Sequence, residues 1–142
     1  DPASRAYKGY NNFAKLMWDK PGKIFIYMVH ANWLFNVITG ELGTPSAVLI
    51  RALEPVSGIN KMLINRKMSI NQLTNGPGKL TQALDITKIF NDTDITNVTN
   101  KISIIENREK IKIVSSHRIG VSKDLERKLR FYVYGNSFVS KK

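Results

Sequence analysis

The stretch Tyr27-Met-Val-His-Ala-Asn-Trp-Leu-Phe-Asn36, followed fifteen residues on by Arg51-Ala-Leu-Glu-Pro55, plants aromatic, amide and guanidinium side chains on two strongly apolar, strand-like segments. An electron-rich ring stacks on flat or cationic ligands, and amide and guanidinium groups supply hydrogen bonds and positive charge beside it. Such groups on strands line sites. The same residues also suit an ordinary core, in which aromatics dominate and a buried amide is satisfied by backbone. Both readings stand at this point.

The elements that would position them follow from periodicity. Ile24-Phe-Ile-Tyr-Met-Val29 and Ala47-Val-Leu-Ile50 are rich in β-branched and aromatic residues and are bounded by Pro21-Gly22 and by residues 40–45, so they read as neighbouring strands. Residues 1–22 show weak periodicity and read as a loop-rich segment ending in a turn. Ile59, Met62 and Leu63 recur at helical spacing within 58–67, with Ser57 as candidate cap, and Leu80, Ala83 and Leu84 do so within 77–85, with Pro77 in the first turn. Segments 101–106 and 109–114 flank Asn107-Arg108 and read as a hairpin, and 128–134 alternates as a final strand. Strands outnumber helices, without regular strand-helix-strand alternation. The pattern predicts one α+β domain over 1–142, with a mixed, mainly antiparallel sheet containing 24–29, 47–53, 109–114 and 128–134.

Composition narrows the chemistry. The chain has 142 residues, 42% of them hydrophobic, enough for one sizeable core. Its net charge is +11, and the 22 Lys and Arg are spread along the chain, which points to a basic face and a polyanionic partner. No run of 18 apolar residues and no signal-peptide pattern occurs, so the expected location is intracellular, in cytoplasm, nucleoid or nucleus. There is no cysteine, which removes disulfides, cysteine nucleophiles and thiolate metal sites, and two histidines, His30 and His117, are too few for a His-only metal site. Asn91 and Asn97 fit the glycosylation pattern but read as polar loop residues.

Several motifs fail on inspection. Gly76-Pro-Gly-Lys79 suggests a phosphate loop, but Leu73 stands where the first glycine belongs and Leu80 where the magnesium-binding hydroxyl belongs. No Gly-x-Gly-x-x-Gly follows a strand, and neither Gly-x-Ser-x-Gly nor His-Glu-x-x-His occurs.

One ordered set of blocks holds: Asp1-Pro-Ala-Ser-Arg5-Ala, Met17-Trp-Asp-Lys-Pro-Gly22, Tyr27 to Asn36, Leu49-Ile-Arg51-Ala-Leu-Glu-Pro55, Asn75-Gly-Pro-Gly-Lys-Leu-Thr-Gln-Ala-Leu84, Arg118-Ile-Gly-Val121 and Leu129-Arg-Phe-Tyr-Val-Tyr-Gly135. Together they resemble the alkyladenine (3-methyladenine) DNA glycosylase family over nearly the whole chain. The resemblance implies a monofunctional base-excision repair enzyme, without metal or cofactor, acting as a monomer on double-stranded DNA containing damaged purines and not on membranes. It would flip a damaged purine out of the duplex, clamp it between aromatic rings and cleave the N-glycosidic bond with an activated water. By the same resemblance Tyr27 stacks on the flipped base and Asn36 crowds the exocyclic amino group of a normal guanine. Arg51 helps hold the nucleophilic water, which the Ile119 main-chain carbonyl also touches. Ala3 and Arg5 fall in the block that contacts the base. Alkylation at N3 or N7 makes the purine cationic, hence a better leaving group and a better stacking partner for electron-rich rings, and damage that weakens pairing lowers the cost of extrusion.

The chain departs from the family pattern in two places. The family's Glu-Ala-Tyr segment, carrying the general base and a second stacking tyrosine, lies upstream of Asp-Pro-Ala-Ser, and this sequence starts at Asp1, so a longer protein is expected. Arg5 stands where the family commonly has histidine. The family's DNA-wedging hairpin falls at His30-Ala-Asn32-Trp33, one residue shorter here, with His30 or Trp33 as the wedge; His30 also suits a histidine without special role, and His117 is read that way. Lys79 suits a helix start or a DNA phosphate, and Lys123, Arg127 and Lys128 suit phosphate contacts or a solvated face. Two rivals remain: a catalytically inactive DNA-binding or damage-sensing protein of the same fold, and an RNA-binding module using exposed aromatics. With a net charge of +11, non-specific duplex affinity should fall steeply between about 50 and 200 mM salt, through counterion release at Lys and Arg contacts. A flat titration would argue against a DNA-facing basic surface.

Overall fold

Alternating apolar residues over 24–38 fold back on themselves in the computed structural model, which describes residues 1–140. Strand β1 (Ile24–Val29) pairs antiparallel with β2 (Asn32–Ile38), from Ile24 opposite Val37 to Val29 opposite Asn32. Strand β3 (Ala47–Leu49) joins the other side of β2, with Asn36 opposite Leu49. The order β1-β2-β3 corrects the expectation that 24–29 and 47–53 are neighbours, since β2 lies between them and the third strand stops at Leu49.

The β1–β2 turn explains why β2 is hard to see in the sequence. It consists of His30 and Ala31, with φ of 45° and 60°. Both central residues of the tightest hairpin turn need positive φ, which Asn and Gly supply readily and His-Ala does not. Each such residue costs on the order of 1–3 kcal/mol.

Opposed residues of an antiparallel pair share a face. Ile24, Ile26, Trp33, Phe35 and Val37 therefore point one way, into a cluster with Leu80, Ile86 and Ile95. Phe25, Tyr27, Asn36 and Ile38 point the other way, and Phe25, Tyr27 and Ile38 pack beneath Ala6, Ala14 and Met17 of the N-terminal segment. That segment is built of turns and one 3-10 turn, Lys15–Trp18, as its weak periodicity predicts. Segment 91–94 closes the outer edge of β1: Ile24 N–H donates to the Thr93 carbonyl at 2.9 Å, and Ile26 N–H to Asn91 Oδ1 at 2.9 Å. Pairing of this kind removes a sticky sheet edge.

Helix α1 (Ile59–Asn65) and helix α2 (Pro77–Ala83) fall where helical spacing places them, each shorter than expected. Ser57 is not the cap of α1. Gly58 takes that position with φ of 70°, and no side chain caps the helix. Pro77 stands in the first turn of α2, as predicted.

The downstream strands form a sheet of their own. Strand β4 (Ile113–Ser116) pairs antiparallel with β5 (Arg130–Val133), Ile113 opposite Val133 and Ser116 opposite Arg130. Two expectations are thereby corrected: the strands do not share one sheet, and 101–106 does not pair with 109–114. Within 101–106, Ile102 packs against the Ile24–Leu80 cluster and Ile104 N–H donates to the Ile95 carbonyl at 2.9 Å, so this segment joins the 91–95 side of the fold, while Asn107 Oδ1 accepts from Glu109 N–H in a local turn. The alternation in 109–114 marks strand character but does not name the partner. Two antiparallel sheets with short helices make an α+β fold.

The Gly-Pro-Gly-Lys block is structural. A Cβ on Gly78 would lie 2.7 Å from the Cβ, Cγ and Oδ1 atoms of Asn32, so only glycine lets α2 approach the hairpin beside its turn. Thr81 Oγ1 then donates to the Trp33 carbonyl at 2.9 Å, and Gln82 Nε2 to Asn32 Oδ1 at 2.9 Å. Gly78→Ala should therefore destabilise the fold by about 1–3 kcal/mol, as overpacking does. Thermal denaturation checks this, and an unchanged midpoint would show that α2 can shift at no cost.

Candidate active site

The β1–β2–β3 register gathers the sequence-nominated residues. Tyr27 and Asn36 lie on the sheet face beneath the N-terminal segment, and Arg51 follows two residues after Leu49, the partner of Asn36. Tyr27 is half-buried. Its ring meets Phe25 at 5.2 Å and the edge of Phe13 at 5.8 Å between centroids, and the Arg5 guanidinium lies 4.9 Å above it. Asn36 is buried and donates through Nδ2 to the Phe25 carbonyl at 3.0 Å and the Leu34 carbonyl at 3.2 Å. Those two bonds fix the amide plane, while Oδ1 has no hydrogen-bond partner among the described residues.

Arg51 is the electrostatic anomaly. Burial, and after it the neighbouring Arg130, disfavours its charged form relative to a free arginine. A guanidinium nonetheless remains protonated at neutral pH. Among the described residues it makes no hydrogen bond or ion pair. Glu54 is not its partner, because its Oε2 accepts from Asn136 Nδ2 at 2.6 Å. Arg130 itself is held by Ser116 Oγ at 2.9 Å and lies 4.3 Å from the centre of the Tyr132 ring. Arg51 thus stands half-buried near a second guanidinium, without an acid among the described residues, an arrangement that favours an incoming negative or electron-rich group.

Ile119 sits in the β4–β5 connection, next to an ion cluster. Arg118 donates to both carboxylate oxygens of Asp1, at 2.6 and 3.0 Å, and through Nε to Asp124 Oδ1 at 2.6 Å. Asp1 Oδ1 also accepts from the Ala3 N–H at 3.0 Å. The cluster pins the Ile119 loop to the Asp1-Pro-Ala-Ser turn and so joins blocks far apart in the chain.

The hairpin tip places its residues differently from one another. His30 is exposed at the turn, and Asn32 Nδ2 donates back to the His30 carbonyl at 2.8 Å. Trp33 is only half-exposed and packs against the Ile24–Leu80 cluster. Lys79 Nζ donates to Asn75 Oδ1 at 2.8 Å. A cavity of about 290 Å³ beside the hairpin is lined by Ala31, Asn32, Trp33, Thr81 and Gln82, and neither Tyr27 nor Arg51 borders it. Among the described residues, no three His, Asp or Glu side chains converge as a metal site requires.

Comparison with known proteins decides the family. Residues 1–137 match the model of the methylpurine-DNA glycosylase family. The chain belongs to that family. A protein of Francisella tularensis subsp. tularensis (strain FSC 198) is 38% identical over 147 aligned positions, covering 100% of this chain and 76% of its own length. One from Lactiplantibacillus plantarum (strain ATCC BAA-793 / NCIMB 8826 / WCFS1) is 38% identical, covering 99% of this chain and 69% of its own length. One from Enterococcus faecalis (strain ATCC 700802 / V583) is 39% identical, covering 88% and 56%. All three carry the provisional name 3-methyladenine DNA glycosylase.

Two residues that the structure places beside these candidates escape sequence reasoning. Arg130 reads only as the polar side of an alternating strand, and Phe13 lies in a segment without periodicity. The alternation in 128–134 carries a usable signal for Arg130, since its register sets it opposite Ser116.

The ion cluster yields a pH expectation. Arg118, the leading cause, holds the Asp124 carboxyl below its ordinary value of 3.8. A depressed carboxylate stabilises the fold above its unfolded-state pKa and loses that contribution as pH falls through the folded-state value. Arg118→Ala should therefore lower thermal stability at pH 7, and the gap to the parent protein should close as pH falls below 3.8. A gap that persists at lower pH would show that Arg118 acts by packing instead.

Proposed function

We propose that the chain excises damaged purines from duplex DNA as a monofunctional glycosylase, the step that opens base-excision repair. The observation that carries this reading is the half-buried Arg51, without an acid among the described residues, two residues beyond Leu49, which pairs with Asn36 on the strand next to Tyr27. Extrusion of the nucleotide gives the enzyme access to C1′ at the cost of a few kcal/mol of stacking. The flipped ring stacks on Tyr27, and Asn36, its plane fixed by two backbone carbonyls, borders the edge at which guanine carries its amino group. His30 and Ala31, exposed at the hairpin tip, take the vacated space in the duplex, while Trp33 supports the hairpin from the core.

In the chemical step a water attacks C1′, the N-glycosidic bond breaks and its electron pair leaves with the purine. A purine alkylated at N3 or N7 departs neutral. Arg51 and the Ile119 carbonyl orient the water, and its proton passes to a general base that the family resemblance assigns to a Glu-Ala-Tyr segment preceding the Asp-Pro-Ala-Ser block. A second reading is a damage-binding protein of the same fold without catalysis, which would use the same Tyr27 and Asn36 face.

Two variants of the intact protein separate the readings. Arg51 opposes charge that develops only in the transition state, so Arg51→Ala should cut single-turnover excision by about 10²–10³-fold, the range for losing one preorganised electrostatic donor. Lesion binding should change little. Because Arg51 has no ion pair among the described residues, its loss should also leave the melting temperature nearly unchanged, unlike removal of a buried ion-pair partner. Tyr27→Ala should weaken lesion binding itself by about 1–3 kcal/mol. A folded Arg51→Ala variant that excises 3-methyladenine at the parent rate would sink the assignment, and absence of excision by the parent would favour the binding-only reading.

A further inference from the structure

Arg5 lies in an exposed turn of the N-terminal segment, with its guanidinium carbon 4.9 Å from the centre of the Tyr27 ring and 5.9 Å from that of Phe13. Its side chain makes no hydrogen bond or ion pair among the described residues. The rings therefore hold it, through attraction of a cation to their π faces. A purine stacked on Tyr27 needs van der Waals contact on both of its faces, a spacing of about 7 Å between the flanking groups. The 4.9 Å gap is too narrow. Arg5 must lift to the far side of the base or swing beside it, and in either place it leaves an uncompensated positive charge within about 10 Å, where screening is incomplete.

We propose that Arg5 is a specificity-determining residue, which biases the Tyr27 platform toward neutral damaged purines and against purines bearing a formal positive charge. The inference rests on the reading that Tyr27 receives the flipped base. A cationic purine competes with Arg5 for the same ring face and is repelled by it, and among the described residues no carboxylate bonds Arg5 to offset that repulsion. A neutral purine meets no such charge penalty, and its flat face can stack against the planar guanidinium.

The test compares single-turnover excision from two duplexes differing only in the lesion, cationic 7-methylguanine or neutral hypoxanthine, by the parent protein, Arg5→Gln and Arg5→Lys. Using the ratio of the two rates cancels the intrinsic reactivity of each lesion when variants are compared. Arg5→Gln should raise the ratio of 7-methylguanine to hypoxanthine excision roughly tenfold, with about 3-fold to 50-fold spanned by one charge at ~7 Å in media from bulk water to a protein surface. Arg5→Lys keeps the charge and should leave the ratio within about twofold of the parent. An unchanged ratio in Arg5→Gln overturns the proposal, and so does a rise in Arg5→Lys as large as in Arg5→Gln, which would make planarity and not charge the cause. If the parent cleaves neither duplex, the glycosylase reading fails separately, and the ratio of equilibrium affinities for the same two duplexes decides the role of Arg5 by the same criteria.

Discussion

The register between β1 and β2 is the constraint on which the rest depends. Alternate residues of this one hairpin have opposite tasks: Ile24, Ile26 and Phe35 build the core over α2, whereas Tyr27 and Asn36 face the N-terminal segment. A slip of one residue would exchange the two sets. What holds the register comes from the other side of the sheet. Gly78 admits Asn32, Gln82 bonds its side chain, and Thr81 bonds the adjoining Trp33 carbonyl. The helix that fills the core therefore also fixes which residues face the site.

Three arginines show how the same side chain is used in different ways. Arg118 is bonded to Asp1 and Asp124, so its charge is spent on tying the Ile119 loop to the N-terminal turn. Arg130 is bonded to Ser116 and lies on Tyr132, which fixes its position. Arg51 has neither kind of support and is half-buried beside Arg130. Retaining an unpaired buried charge costs stability. For Arg51 that cost is limited because its burial is only partial. Evenly distributed charge would place an acid there, and the nearest acid in sequence, Glu54, turns instead to Asn136.

Where periodicity and turn chemistry agree, the fold is legible in the sequence. β1, α2 and the strand within 128–134 carry long apolar patterns and clear boundaries, and each is found where the pattern puts it. β2 is obscured because His30-Ala31 lacks the residues that announce a tight turn and because Asn36 interrupts its apolar run. The expected hairpin at 101–114 fails for a different reason: alternation reports a strand's faces but does not name its partner, and the backbone of 113–116 pairs with β5. The same division applies to the site. Residue type is enough to nominate Tyr27, Asn36 and Arg51, but the position of Arg5 over Tyr27 and of Arg130 beside Arg51 depends on tertiary approach that no local pattern encodes.

The strained turn at His30-Ala31 bears on the proposed role of the hairpin. An Asn-Gly turn would reach the same backbone with less cost. It would also leave a slighter tip, with no imidazole and one fewer Cβ. Here the strain is opposed by bonds around the turn: Asn32 Nδ2 returns to the His30 carbonyl, and α2 holds Asn32 from behind. A tip that must enter a base stack benefits from side-chain bulk and from stiffness, because an ordered wedge gives up less conformational entropy on insertion. Strain of this kind persists only where the surroundings over-determine it. On the wedge reading, the close packing of Gly78 against Asn32 is what allows a non-glycine turn to stand ready at the surface.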